Sequence, residues 1–190
     1  MAETSNIVSF DNEPLMLVDS DDVVIGFKEK AAAHRGNGVL HRAFSIFLFN
    51  DQGEVLLQQR SSLKPLWPEY WSNTCCSHPR RGESLTQATQ RRLKEELKLE
   101  SQLTFLFKFQ YHAMFNDIGS EHELCSVFVG NATGRPAPDF NPTEIAATAW
   151  VSVDTVDEWL NDDNVQTTPW FAMEWKRIKD EFSGQLPLST

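Results

Sequence analysis

The chain is short of cysteine and of positive charge, and it has no long apolar run. Cysteine occurs three times in 190 residues, as the adjacent pair Cys75 and Cys76 and as Cys125. An odd number with two neighbours makes a poor disulfide framework and suits a reducing compartment. Lysine and arginine total 17 against 27 aspartates and glutamates, a formal net charge of -10. That deficit argues against general nucleic-acid binding, where a basic face must displace counterions. It still permits an anionic substrate, because binding follows local charge. No apolar stretch is long enough to cross a bilayer, and Met1 to Phe10 lacks the apolar segment of a secretion signal. Internal repeats and low-complexity linkers are absent as well. The expectation is a soluble cytoplasmic monomer with no membrane or nucleic-acid partner, one domain over residues 1–190. Aromatics are plentiful, with 13 Phe and 6 Trp, so its core should be rich in rings.

The hydrophobic pattern mixes strands and helices without regular alternation. Leu15–Val18 and Val23–Phe27 read as a hairpin across an acidic turn, and Lys28–His34 as a short helix. Ala43–Asn50 and Glu54–Arg60 read as strands joined at Asp51-Gln52-Gly53. Residues 61–77 form a long connection, ordered by Trp67 and Trp71. Glu83–Lys98 carries Leu85, Thr89, Leu93 and Leu97 on one helical stripe. Leu103–Phe115 alternates as a long strand, with Phe105, Phe107, Phe109, Tyr111, Ala113 and Phe115 on one face, and His122–Val129 returns beside it. Pro136, Pro138 and Pro142 mark a loop. Ala146–Val153 is a further strand, followed by helices near Val153–Leu160 and Pro169–Phe182, the second capped by Thr168. These elements predict an α+β (α/β-like) fold with a mixed β-sheet core flanked by helices.

Two short segments carry the chemistry. Cys76 lies two residues from His78, and Glu121 two residues from Glu123. In extended backbone each pair points to one side, so they read as halves of one acid/base and metal site. His34 and His41 flank a Gly-rich loop that could bring them together. Three histidines and two carboxylates suit Zn, Mn or Mg. His112 and His122 fall outside this set. Glu83 followed by Arg91-Arg92-Leu93-Lys94-Glu95-Glu96-Leu97-Lys98 resembles a degenerate Nudix box, in which carboxylates hold a divalent metal on a diphosphate. Its first glycine is replaced by Ser77, a glutamate by Arg92 and its late glycine by Lys98. The same segment also reads as a solvated helix with ordinary i,i+4 charge pairs.

In order along the chain stand Lys30-Ala31-Ala32-Ala33-His34, Leu40-His41-Arg42-Ala43-Phe44-Ser45, Gln58-Gln59-Arg60, Trp67-Pro68, Thr74-Cys75-Cys76-Ser77-His78-Pro79, Glu121-His122-Glu123 and Thr168-Pro169-Trp170-Phe171. Together they resemble the type I isopentenyl diphosphate isomerases, a Nudix-fold family, over roughly Ile25–Trp175. The resemblance implies a metal-dependent, flavin-independent interconversion of isopentenyl and dimethylallyl diphosphate in isoprenoid biosynthesis. By similarity Cys76 and Glu123 form the acid/base pair on opposite faces of the alkene. Tyr111 assists Glu123, and Trp170 lends an aromatic wall to a carbocation. Lys30, Arg60, Lys64, Ser77 and Arg92 bind the prenyl diphosphate. His34, His41, His78, Glu121 and Glu123 hold one Mn2+, Zn2+ or Mg2+. Glu96, with the main-chain carbonyl of Cys76, holds a Mg2+ that enters with the diphosphate. The Trp67/Trp71 loop would cover the pocket, and Arg80 and Arg81 are read as solvated charges. A Nudix-type diphosphate hydrolase and a non-catalytic prenyl-diphosphate- or metal-binding protein are the alternatives. The missing box glutamate counts against the first, and the intact set of Cys76, Tyr111, Glu123 and Trp170 against the second. The flavin-dependent isomerases use a larger barrel than 190 residues supply.

Overall fold

The computed structural model describes residues 7–134 and 136–186. Met1 to Asn6, part of the segment read for a secretion signal, lie outside them. The centre of the molecule is strand β3 (His41–Phe49), in which every residue from Ala43 to Phe49 is buried. An unbroken buried run on a strand requires cover on both faces. β3 pairs antiparallel with β1 (Pro14–Val18), β4 (Glu54–Arg60) and β6 (Cys75–Ser77), and parallel with β8 (Gly119–Asn131). β2 (Val24–Glu29) extends β1, β5 (Trp71–Ser72) and β9 (Ile145–Ser152) pair with β4, and β7 (Leu103–Phe115) pairs with β8, making a nine-stranded mixed sheet.

Alternation along β3 divides the core in two. Ala43, Phe47 and Phe49 pack with Trp170, Phe171 and Trp175 of α4 (Pro169–Phe182). Phe44, Ile46 and Leu48 pack on the other face with Ala88, Leu93 and Leu97 of α2 (Leu85–Leu97). Each fully buried Phe or Leu contributes about 1.5–3 kcal/mol of transfer free energy. Helix α1 (Lys30–Ala33) lies between β2 and β3 in the chain order, and α3 (Val153–Asn161) between β9 and α4. The expected mixed sheet with flanking helices is the observed architecture.

Several local expectations change. The helix read over Lys28–His34 shrinks to α1, because Lys28 and Glu29 pair with β1. The long connection contains two short strands, β5 and β6. The single-face reading of β7 fails at its start. A bulge between Phe105 and Phe107 shifts the register, so Phe105 stacks edge-on with Phe128 of the α2-side core while Phe107 enters the other. A β-bulge adds one residue and flips the facing of everything beyond it. Thr168 stands at the N-cap position of α4 but makes no side-chain capping bond. Its hydroxyl is paired with Ser72 Oγ instead, at 2.9 Å.

α2 shows what the Nudix-like segment builds. Ser84 and Gln87 form a capping box at its start, each accepting the other's backbone N–H. Lys98 ends it at φ 54°, in the left-handed region. That conformation explains why the family pattern has glycine there, and a lysine tolerates it at some cost.

Candidate active site and metal centre

Ligand-type side chains converge from three strands and one helix end. His34 follows α1, His41 opens β3, His78 follows β6, and Glu121 and Glu123 lie on β8. Parallel pairing sets His41 directly beside Glu123. The loop between His34 and His41 closes through Gly38, at φ +64°, against Ser120. A Cβ on Gly119 would sit 2.5 Å from the His34 carbonyl, and Ser120 N–H donates to that same carbonyl at 2.9 Å. Glycine is thus needed where β8 approaches His34. Arg91 of α2 donates to the His78 carbonyl at 3.3 Å.

One donor atom from each of His34, His41, His78, Glu121 and Glu123 lies within 4.8 Å of every other. The hydrogen bonding is what a cation cage requires. His34 Nδ1 and His41 Nδ1 each meet a backbone carbonyl, of Lys30 and Val39, at 2.7 Å. A carbonyl only accepts, so both rings carry hydrogen on Nδ1 and, when neutral, turn an Nε2 lone pair inward. His41 Nε2 then faces His78 Nε2 at 3.1 Å. His34 Nε2 and Glu121 Oε2 are 2.7 Å apart, yet neither has a hydrogen-bonding partner of acceptable geometry. Lone pairs aimed at one point, some without donors, fit a bound divalent cation. The charges agree. Burial and then His41 push the His78 imidazole well below its ordinary value. Burial opposes ionisation of Glu121 and Glu123, but His34 beside the first and His41 beside the second hold both low.

The cage opens into a cavity of about 510 Å3 lined by Cys76, Ser77, Tyr111, Glu123 and Trp170 among others. The Tyr111 hydroxyl donates to Glu123 Oε2 at 2.6 Å, and burial raises its own pKa well above the phenolic value. Burial pushes the Cys76 thiol up to about 12, with Arg60 pulling the other way. Trp170 is 2% exposed and its indole N–H has no partner. Arg60 lies over that ring, 5.3 Å from its centroid. Lys30, Lys64 and Arg92 also line the cavity.

The NUDIX domain family matches residues 39–171. An isopentenyl-diphosphate Delta-isomerase of Burkholderia multivorans is 46% identical over 84% of this chain and 89% of its own. A second, from Photorhabdus laumondii, is 44% identical over 87% of this chain and 94% of its own. The chain belongs to the isopentenyl-diphosphate Delta-isomerase family. A Deinococcus radiodurans crystal structure superposes with TM-score 0.71 at 24% identity, covering 87% of this chain and 98% of that one. A Nudix hydrolase from M. Smegmatis does so with TM-score 0.59 at 19% identity, covering 92% and 98%. At those identities the two structures establish the shared Nudix fold alone.

Not every expected site residue of this isomerase meets the cavity. Glu96 is 2% exposed and does not line it. Its Oε1 accepts from Arg92 at 2.6 Å and from the Cys75 thiol at 3.4 Å. The Cys76 thiol stands outside the histidine–glutamate cage. Trp67 and Trp71 do not cover the pocket. Trp67 is core, edge-on to Trp170 at 5.1 Å, and Trp71 packs on Trp159. It is Leu63, Lys64, Pro65 and Leu66 of that connection that line the cavity. Arg80 is not a free solvated charge but pairs with Glu13 at 2.5 Å. Arg81 lies over the Phe27 ring, 4.7 Å from its centroid. Glu83 binds Arg91 at 2.7 Å, fastening the loop to α2. His122 turns to Gln110 and is no part of the cage.

The sequence reading missed Glu144, which organises the basic wall. Its carboxylate meets Lys64 at 2.5 Å and Arg92 at 3.1 Å. Burial alone would raise its pKa, but Lys64 and then Arg92 hold it at about 2, from 4.5. Burial and Lys64 draw the Lys30 ammonium down to about 8. A depressed carboxyl stabilises the fold above its unfolded value, and that contribution is lost as pH falls through the folded one. The excess stability of the wild type over Glu144→Gln is therefore expected to be full above about pH 4.5 and to shrink towards pH 2. Removing one partner of a buried pair should cost about 3–5 kcal/mol at neutral pH. Denaturant midpoints of both proteins across that range give the check.

Proposed function

We propose that this isomerase interconverts isopentenyl and dimethylallyl diphosphate, with Cys76 and Glu123 as its acid/base pair. The observation that carries the reading is that the thiol and Glu123 line one cavity together with Tyr111 and Trp170. In the forward direction one member delivers a proton to the terminal alkene carbon, leaving a tertiary carbocation. The other takes a proton from the adjoining methylene, and the double bond forms there. In the reverse direction the roles exchange. No bond to phosphate breaks.

Each surrounding group has a task. The buried indole of Trp170 presents a π-face to the cationic carbon. A desolvated contact of that kind contributes about 2 kcal/mol, a factor of roughly 30 in rate. The apolar walls exclude water, which would trap the cation. Tyr111 donates to one oxygen of Glu123 and fixes the carboxyl. Lys30, Arg60, Lys64 and Ser77 bind the diphosphate, with Arg92 held behind them by Glu96 and Glu144.

The histidine–glutamate cage would hold one Zn2+, Mn2+ or Mg2+. Glu96 is engaged by Arg92 and Cys75 away from the cavity, so it would hold a Mg2+ entering with the diphosphate only once that pairing opened. When bound, a cation in the cage would offset the negative charge of Glu121 and Glu123 and would make Glu123 a stronger acid. The site works in the cytoplasm, where its thiols stay reduced.

Proton NMR of isopentenyl diphosphate in deuterated water tests the whole reading. The expected result is growth of dimethylallyl signals with deuterium entering the carbon skeleton, abolished by chelator. Release of phosphate or pyrophosphate without isomerisation would make the chain a hydrolase. Binding without either change would make it a non-catalytic binder. The hydrolase reading is opposed by Arg92, which stands where a metal-binding glutamate is needed and neutralises Glu96.

A further inference from the structure

α4 carries one residue that its packing does not explain. Its buried stripe is Trp170, Phe171, Glu174, Trp175 and Ile178. A carboxyl at the centre of an aromatic stripe costs solvation unless it stays neutral and bonded. Burial raises Glu174 to about 8. Its Oε1 accepts from the Cys125 thiol at 3.5 Å, and that thiol also reaches Ser45 Oγ at 3.5 Å. Oε2 has no hydrogen-bond partner.

The placement of these groups is what matters. Ser45 lies on β3 directly opposite Cys76 of β6. Residues opposite one another in an antiparallel pair share a face, with Cβ atoms about 4.5–5.5 Å apart. Cys125 lies two residues beyond Glu123 on β8, hence on the same face. The Ser45–Cys125–Glu174 group therefore shares the sheet face of Cys76 and Glu123 without itself lining the cavity. Glu174 also sits one turn beyond Trp170 on α4, so it ties the helix bearing the aromatic wall to the strands bearing Cys76 and Glu123.

We propose that Glu174 is a positioning residue for the reaction, acting through Ser45 and Cys125 to hold the Cys76 thiol against the alkene. It touches no substrate. This rests on the acid/base reading of Cys76 and Glu123. Removing the polar link while keeping volume loosens the packing beside the thiol, and a misplaced acid/base group costs rate rather than binding.

The test compares Glu174→Gln, Glu174→Leu and Ser45→Ala in the metal-loaded enzyme. Glu174→Gln preserves a neutral hydrogen-bonding head and should stay within about threefold of wild-type kcat. Glu174→Leu and Ser45→Ala should lose about tenfold or more in kcat with KM and metal content unchanged. The rate at which iodoacetamide alkylates Cys76 should change with them, a readout independent of turnover. Wild-type kcat in both Glu174→Leu and Ser45→Ala, or a loss confined to KM, overturns the proposal. If Glu174→Leu does not fold, Ser45→Ala with Glu174→Gln decides alone. A wild-type enzyme without isomerase activity would instead sink the parent reading, so the two failures are distinguishable.

Discussion

Cys76→Ala and Cys76→Ser are expected to lose roughly 10²–10⁴-fold in turnover, the usual worth of a positioned acid or base. Both should keep their full complement of bound metal, because the thiol lies outside the histidine–glutamate cage. Serine tests the chemistry more sharply than alanine. It keeps a hydroxyl near the place of the sulfur, so a loss as large as alanine's ties the effect to thiol proton transfer and not to the hole left behind. Turnover by NMR and metal by atomic emission supply the measurements. Normal activity in either variant would remove Cys76 from the reaction.

Glu123→Gln is expected to damage two properties at once. Glu123 Oε1 lies 3.0 Å from His78 and 3.6 Å from His41, while Oε2 accepts from Tyr111. An amide keeps the shape but removes the negative charge and cannot supply a carboxyl proton. Turnover should fall by roughly 10²–10⁴-fold. Metal affinity should fall by at least the roughly 10- to 100-fold that loss of an outer partner costs. Restoring metal occupancy with excess ion should recover the cage and leave the turnover defect. If saturating metal restores wild-type rates, Glu123 serves as a ligand alone.

Much of this was legible in the sequence because it rests on short periodicities. The pairs Cys76/His78 and Glu121/Glu123 share faces because extended backbone alternates, and the ladder of β3 and β8 brings them together. The family resemblance added the proposed roles of Tyr111 and Trp170, which spacing alone would have assigned to core packing. What the sequence withheld is nonlocal. Glu144 lies in an irregular loop without a motif, and its partners Lys64 and Arg92 come from a separate loop and from α2. Glu174 did leave a signal, as the one acidic residue in the buried stripe of α4. The bulge at Phe105 could not be read, because an unpaired residue leaves the alternation on either side intact. The loop expected at the pocket does line it, through Leu63 to Leu66, but which of its residues would do so was not readable, because a large ring in a loop serves as well to anchor it in the core, as Trp67 does.

The parallel ladder of β3 and β8 also governs when the site can exist during synthesis. Its partners run from His41↔Glu123 to Phe49↔Asn131. A nascent chain presents all three histidines well before the second half of that ladder has left the ribosome. Joining segments so distant in the chain is slow relative to local hairpins, so the ion can be captured by its full set of ligands only near the end of folding. Arrival of the metal thereby becomes a late, scorable step, and refolding followed by metal uptake should lag behind refolding followed by secondary structure.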